Sequence, residues 1–324
     1  MTSGDVAARL RDGDVSAAPA ACNVVENRSP AGRAAAAELL AALGPARLGG
    51  EARGHVIGVT GPPGAGKSTL LGVLARHWRA DGRTVAVLAV DPSSRRSGGA
   101  LLGDRVRIDA DARDRGLFVR SMAAGGRLGG LAPAARAAAQ ALAVAFDVVV
   151  IETVGVGQSE TDVAEAVDTV AVIVQPGSGD VLQFLKAGIM EVPDLLVVTK
   201  ADTGAGARRA VADLHAAMRS LGGRAPVLPV SAVPPPQGVD ALAAALDAHR
   251  ASLDVRAVRL AARRAGALAD FVVEHGERGL RRLGGRRAAE ELLTAQDPAL
   301  DEPGLVRALE TAVTAGGSFG GVAG

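Results

Sequence analysis

The chain has 324 residues, and its 36 lysine and arginine residues against 35 aspartate and glutamate residues give a net charge of +1. A balance this close to neutral gives no electrostatic basis for binding nucleic acid or an acidic membrane surface. Aromatic residues make up only 2% of the chain, which argues against a surface that stacks on nucleic-acid bases. The single cysteine, Cys22, excludes an internal disulfide and a cysteine-based metal cage.

No apolar run reaches the roughly 18 residues that a membrane-spanning helix needs, so no membrane span is expected. The first twenty residues contain Asp5, Asp12 and Asp14 and lack the apolar stretch of a signal peptide. These features predict a cytoplasmic protein.

Residues 1–50 are rich in alanine and are predicted to be helical, with a clear helix at 34–43 that ends at Gly44-Pro45. Short apolar strands then alternate with helices. Strands are predicted at 55–60, 84–90, 117–120, 148–151, 170–175, 195–199 and 227–231, with helices at 70–80 and 132–146. Continuous apolar strands separated by helices predict an α/β fold with a mostly parallel sheet covered by helices on both faces.

No strand is predicted after residue 251, where helices rich in arginine and alanine lead into a glycine-rich tail. The predicted organisation is an N-terminal helical extension at 1–50, an α/β domain at 51–250, a helical arm at 251–315 and a disordered tail at 316–324. The arm is too rich in alanine and leucine to be left fully exposed, so we expect it to pack on a second subunit and form a homodimer.

The sequence GPPGAGKS at 61–68 fits the phosphate-loop pattern G-x-x-x-x-G-K-[ST], directly after a strand and at the start of a helix. Backbone N–H groups of such a loop point at phosphate oxygens, and the helix N-terminus adds favourable partial charge. Lys67 would reach the β- and γ-phosphates, and the Ser68 hydroxyl would ligate Mg²⁺. The predicted phosphate-binding residues are Gly61, Pro62, Pro63, Gly64, Ala65, Gly66, Lys67, Ser68 and Thr69.

A phosphate loop alone does not distinguish ATP from GTP, but the sequence TKAD at 199–202 follows a later predicted strand. In such a loop the carboxylate of Asp202 would accept from the guanine N1–H and the exocyclic amine, a donor pair that adenine lacks. The Lys200 stem would lie over the base. Ser231 and Ala232, after the next strand, resemble the loop whose backbone N–H meets guanine O6.

Carboxylates end two of the predicted strands. Glu152 and Asp91 would lie at the ligand-binding edge of a parallel sheet, and Asp104 follows in a glycine-rich loop. They are predicted to hold Mg²⁺, and the Gly155 N–H to sense a γ-phosphate. The alternative for each carboxylate is a helix cap or a solvated charge.

The segments VTGPPGAGKSTL, LAVDPSSRRSGGALLGDRVR, VIETVGVGQSE, QPGSGDVLQFLKAGI and TKAD together resemble the MeaB/ArgK/MMAA family of P-loop GTPases, over roughly residues 20–295. The resemblance implies a metallochaperone-like G protein that uses GTP, GDP and Mg²⁺. It also implies that the protein gates cofactor loading and protection of an adenosylcobalamin-dependent acyl-CoA mutase, methylmalonyl-CoA mutase in that family. The adenosylcobalamin would then lie on the mutase, and a cobalamin adenosyltransferase is a further partner that the resemblance allows.

The resemblance implies catalytic roles around Lys67, Asp91 and Glu152, and it places Lys186 in a third switch segment that passes nucleotide state to the mutase. The chain has only three lysines, Lys67, Lys186 and Lys200, and all fall in motif segments. Gln158 is a further catalytic candidate, for positioning the attacking water.

One departure from the family pattern is Thr199, where asparagine is usual; its hydroxyl can donate to guanine N7, so GTP binding is still expected. Two other functions remain open. One is a P-loop kinase, as the older ArgK name implies, and the other is a non-catalytic scaffold with a tightly held nucleotide.

Overall fold

The computed structural model describes residues 1–91, 113–123, 133–153, 163–177, 193–220 and 222–316. The helices are α1 (Ser3–Arg11), α2 (Ala18–Glu26), α3 (Pro30–Ala42), α4 (Pro45–Leu48), α5 (Lys67–Ala80), α6 (Pro133–Leu142), α7 (Ala205–Ser220), α8 (Val239–Ser252), α9 (Val255–Arg282), α10 (Arg286–Thr294) and α11 (Glu302–Gly316). The strands are β1 (His55–Thr60), β2 (Val85–Asp91), β3 (Leu117–Ala123), β4 (Val148–Thr153), β5 (Thr169–Val174), β6 (Leu195–Val198) and β7 (Val227–Pro229). Among the described residues, no helix combines the length and apolar character needed to cross a bilayer.

The predicted α/β fold is confirmed, and each predicted strand is present. The strands form one sheet in the order β3-β2-β4-β1-β5-β6-β7, and every pairing between neighbours is parallel. The strand ends differ from prediction by a few residues. The predicted helix at 34–43 begins earlier, at Pro30, because the Ser29 hydroxyl accepts from the Gly32 N–H and proline suits the first helical turn.

Two apolar layers cover the sheet because its strands alternate side chains between two faces. Helices α5 and α8 pack on one face, around Leu71, Trp78 and Leu242. Helices α1 to α3, α6 and α7 pack on the other face, where Leu10 of α1 and Leu142 of α6 belong to the same buried cluster. The N-terminal helices therefore complete the core on that face.

The C-terminal helices α9, α10 and α11 bury a third cluster of their own. Its members are Ala267, Leu268, Phe271, Leu280, Ala289, Leu293, Leu305 and Leu309. This packing weakens the argument used to expect a second subunit, because the apolar residues of this cluster are covered within the same chain. The predicted tail beyond Gly316 lies outside the described residues.

Buried ion pairs join these helices to the sheet. Arg259 of α9 donates to both carboxylate oxygens of Asp168, at 2.8 and 2.7 Å, and to the main-chain oxygens of Ala52 and Gly54, just before β1. Burial alone would raise the pKa of Asp168, but the hydrogen bonds and charge of Arg259 outweigh it and hold that pKa below its usual value.

A second buried group joins α6 to the arm. Arg136 donates to Glu302 at 2.9 Å and to Asp270 at 2.8 Å, and Gln140 donates to Glu302 at 2.8 Å. Burial acts to lower the pKa of Arg136, but the two carboxylates outweigh it and raise that pKa. Burial also raises the pKa of Asp270. Because breaking such a buried pair leaves an uncompensated charge, this contact fixes α11 against α6.

A buried histidine lies at the edge of the sheet where the strands begin. His55 is 3% exposed, and its Nε2 lies 2.7 Å from Thr169 Oγ1, which lies 2.8 Å from His249 Nδ1. Burial lowers the pKa of His55 to about 3, so the ring stays neutral in the folded state at any ordinary pH.

Replacement of His55 by asparagine should reduce the sensitivity of the fold to acid. In the unfolded chain His55 binds a proton near pH 6.5, whereas the folded chain binds it only near pH 3, so acidification through this window favours unfolding. Between pH 7 and pH 5 the wild type should lose about 2 kcal/mol more unfolding free energy than His55→Asn. Urea unfolding at both pH values measures this, and His215→Asn, at an exposed position of α7, serves as the control. An equal loss in His55→Asn and wild type would contradict the assignment.

Candidate functional site

The predicted phosphate loop lies between β1 and α5, at the edge where the parallel strands end. Gly61 has a φ of 143°, and a Cβ placed on it would lie 2.3 Å from the main-chain oxygen of Ile173 on β5. A side chain at this position would therefore displace either the loop or β5. Gly66, with a φ of 86°, precedes α5 and offers no capping side chain. The first N–H groups of α5 are thus left to a ligand rather than to a cap.

Lys67 is folded back over the loop that it follows. Its side chain is buried, and Nζ donates to the main-chain oxygens of Gly61 at 2.7 Å and Pro62 at 3.1 Å. The ammonium group therefore lies against the start of the loop, where its positive charge favours a polyphosphate.

Ser68 and Glu152 form the candidate magnesium site. The Ser68 hydroxyl donates to Glu152 Oε1 at 2.7 Å, and the two residues are 9% and 6% exposed. The register of β1 and β4 pairs Val59 with Glu152, which brings this carboxylate beside the strand that leads into the loop. A hydroxyl and a carboxylate oxygen are the hard ligands that Mg²⁺ prefers, so the donor set fits this ion.

Asp91, the other predicted carboxylate on a strand, ends β2 beside β4, and the preceding Val90 pairs with Thr153. Its backbone therefore lies at the same sheet edge as Glu152; its side chain is outside the described part. Asp104, Gly155, Gln158 and Lys186 also lie outside the described residues, and their assigned roles stay predictions.

The base loop is attached directly to the phosphate loop. Thr199 is buried, and its hydroxyl donates to the main-chain oxygen of Ala65 at 2.6 Å. From the sequence, this hydroxyl can donate to guanine N7, which stays a prediction; in the structure the hydroxyl joins the two loops. Lys200, with a φ of 53°, donates from Nζ to the main-chain oxygen of Gly64 at 3.2 Å and to Gln175 Oε1 at 2.6 Å.

Asp202 is held by the loop that follows β7. The hydroxyl of Ser231 donates to Asp202 Oδ1 at 2.7 Å, and the Ala201 N–H donates to the main-chain oxygen of Val230. Ser231 is fixed in turn by paired main-chain hydrogen bonds with Gln237. The predicted pair of loops, one with Asp202 and one with Ser231 and Ala232, is therefore brought together at the sheet edge.

Gln175 contacts the site but was not singled out in the sequence. It is the first residue after β5, and it accepts a hydrogen bond from Lys200. Its position after a predicted strand could have identified it in the sequence, since polar residues at the carboxyl ends of parallel strands lie at the ligand edge.

Replacement of Asp202 by asparagine should weaken GTP binding and favour xanthosine triphosphate. Asparagine presents an amide in place of the carboxylate that accepts from the guanine N1–H and amine, and the lost charge-assisted pair corresponds to about 2–4 kcal/mol. Titration of the wild type and of Asp202→Asn with GTP, xanthosine triphosphate and ATP measures the change in affinity. Asp213→Asn, at an exposed position of α7, is the matched control. Wild-type protein that binds ATP as tightly as GTP would show that the base-reading assignment is wrong.

Comparison with known proteins identifies relatives of this chain. A putative GTPase of Pyrococcus abyssi is 44% identical over 228 residues, which is 68% of this chain and 68% of that protein. The mitochondrial methylmalonic aciduria type A homologue of Mus musculus is 42% identical over 177 residues, 53% of this chain and 42% of that protein. The crystal structure of a LAO/AO transport system kinase has a TM-score of 0.65 at 28% identity, and the match covers 96% of this chain and 97% of that one.

The family model described as methylmalonyl Co-A mutase-associated GTPase MeaB matches residues 19–278. That range contains every strand of the described sheet, the phosphate loop and the base loop. The chain therefore belongs to the MeaB family of GTPases.

Proposed function

We propose that this GTPase gates the loading and protection of the cofactor of an adenosylcobalamin-dependent acyl-CoA mutase, with methylmalonyl-CoA mutase as the first candidate. The support is the family description, which names a mutase-associated GTPase, and the similarity to the mouse protein named for methylmalonic aciduria. In this proposal adenosylcobalamin binds the mutase, and a cobalamin adenosyltransferase is a further partner.

The observation that carries the proposal is the hydrogen bond between Thr199 and the main-chain oxygen of Ala65. It joins the predicted base loop to the predicted phosphate loop, which would couple recognition of guanine to binding of the phosphates. This arrangement suits a nucleotide switch better than a kinase, which additionally needs a pocket for an acceptor substrate.

For hydrolysis, water attacks the γ-phosphorus in line with the leaving oxygen. The N–H groups at the start of α5 and the Lys67 ammonium would stabilise the charge that develops on the phosphate oxygens. The oxygens of Ser68 and Glu152 would hold Mg²⁺. When bound, this ion neutralises charge on the β- and γ-phosphates. Asp91 and Asp104 remain further candidates for the metal, Gly155 for contact with the γ-phosphate, and Gln158 for orienting the water.

Replacement of Lys186 by alanine should separate the switch function from nucleotide binding. Intrinsic GTP affinity should stay within about threefold, because less than about 0.7 kcal/mol is expected for a residue away from the nucleotide. The stimulation of GTP turnover by the mutase should fall, because we propose that Lys186 pairs with a carboxylate in only one nucleotide state. GTP turnover is measured with and without purified mutase.

The control is Arg209→Ala, which removes an exposed cation of α7. If the mutase stimulates GTP turnover equally in the wild type and in both variants, the proposed switch role of Lys186 is wrong. A mutase that changes neither the turnover of the wild type nor its own cofactor loading would contradict the proposed function as a whole.

A homodimer built through the C-terminal arm is part of the proposal. The physical support is Val273 of α9, a large apolar side chain that is 52% exposed on the outer surface of the arm. If this surface contacts a second copy, Val273→Asp should convert the dimer to a monomer, since an unpaired carboxylate in an apolar interface is unfavourable. Light scattering at tens of micromolar measures this. A wild-type monomer at that concentration would contradict the dimer. A point substitution is preferable to deletion of the arm, because Arg259 and Glu302 of the arm contact the core.

A further inference from the structure

Gln175 lies between the two loops that hold the nucleotide. It follows β5, and β5 is placed between β1 and β6 in the sheet. Strand β1 leads into the phosphate loop and β6 into the base loop. The register pairs Val174 with Val198, so Gln175 is level with Thr199 at the ligand edge.

The contact between Gln175 and Lys200 restrains a flexible side chain at one of its two acceptors. Among the described residues, Lys200 is the only non-glycine residue with a positive φ, which directs its side chain back toward the phosphate loop. Its Nζ donates to the main-chain oxygen of Gly64 at 3.2 Å and to Gln175 Oε1 at 2.6 Å. A lysine side chain has four rotatable bonds, so two acceptors on different loops are needed to hold its stem in one place.

The stem of Lys200 is the part of the base loop that a purine ring would lie against, whereas Asp202 is the part that selects guanine. We propose that Gln175 is a positioning residue: it fixes Lys200 beside the base and so sets the affinity for purine nucleotides without choosing the base. The inference rests on guanine binding at this loop and is independent of the mutase proposal.

The position of Gln175 sets it apart from residues of the phosphate loop. The base is common to GTP and GDP, so a defect in positioning Lys200 should weaken both by the same factor. A distorted phosphate loop would instead change the ratio of the two affinities, because the γ-phosphate contacts that loop. The ratio therefore separates a role toward the base from general damage to the site.

The experiment compares Gln175→Leu, Gln175→Glu and wild type by calorimetric titration with GDP, a non-hydrolysable GTP analogue and inosine diphosphate. Leucine has a similar size but no acceptor, so the Lys200 side chain would have to be ordered when a nucleotide binds, which should weaken all three nucleotides about tenfold. Glutamate keeps an acceptor for the ammonium and should restore affinity to within about twofold of wild type. Gln296→Leu, which removes a glutamine far from the site, should bind as wild type does.

Four results would overturn the proposal. Gln175→Leu could bind every nucleotide within twofold of wild type, or it could change the ratio of GDP to GTP-analogue affinity. Alternatively, Gln175→Glu could be as weak as Gln175→Leu, or Gln175→Leu could melt several degrees lower without nucleotide, either of which would indicate a structural role. If the wild-type protein does not bind guanine nucleotides measurably, both the base-loop assignment and this inference are wrong. If the wild type binds them and Gln175→Leu binds them equally well, only this inference is wrong.

Discussion

The hydrogen bond from Thr199 to the main-chain oxygen of Ala65 joins two segments that lie 134 residues apart in the chain. It is possible because β1, β5 and β6 run parallel and end at the same edge of the sheet. The hydroxyl is buried, so its removal would leave the Ala65 oxygen without this donor in a place that water does not reach easily. This contact, together with that from Lys200 to the Gly64 oxygen, therefore helps to set the relative position of the phosphate and base loops.

The opposite edge of the sheet is held by charges. Asp168 accepts from the Val56 N–H at 2.9 Å and from the guanidinium of Arg259 on α9, so a single carboxylate connects β1, β5 and the C-terminal helices. Net stabilisation by such a buried pair is small, since desolvation offsets most of the attraction, but loss of one partner is costly. The main effect of the pair is therefore to fix the position of α9 relative to the sheet.

Much of this arrangement could be predicted from the sequence because the signals are local. The phosphate loop follows a strand within a few residues, and each apolar strand carries its own pattern. The pairs Arg259–Asp168 and Arg136–Glu302 could not be predicted, because partners 91 and 166 residues apart share no pattern in the chain. The packing of α9, α10 and α11 on one another could not be predicted for the same reason. Apolar composition indicated that the arm must be buried, but it does not identify the surface that buries it.

Thr199 makes a contact that the motif alone does not reveal. The spacing of TKAD identified the loop, but only the tertiary structure reveals that the Ala65 oxygen takes the hydroxyl proton. Two of the lysines also contact the phosphate loop. Lys67 and Lys200 both direct their ammonium groups at main-chain oxygens of the phosphate loop, at Gly61 and Gly64 respectively. An ammonium is a compact charge whose three donors can turn toward such oxygens, whereas a guanidinium is a wide planar fork suited to paired acceptors. The geometry of the loop thus explains why a chain with 36 basic residues places two of its three lysines here.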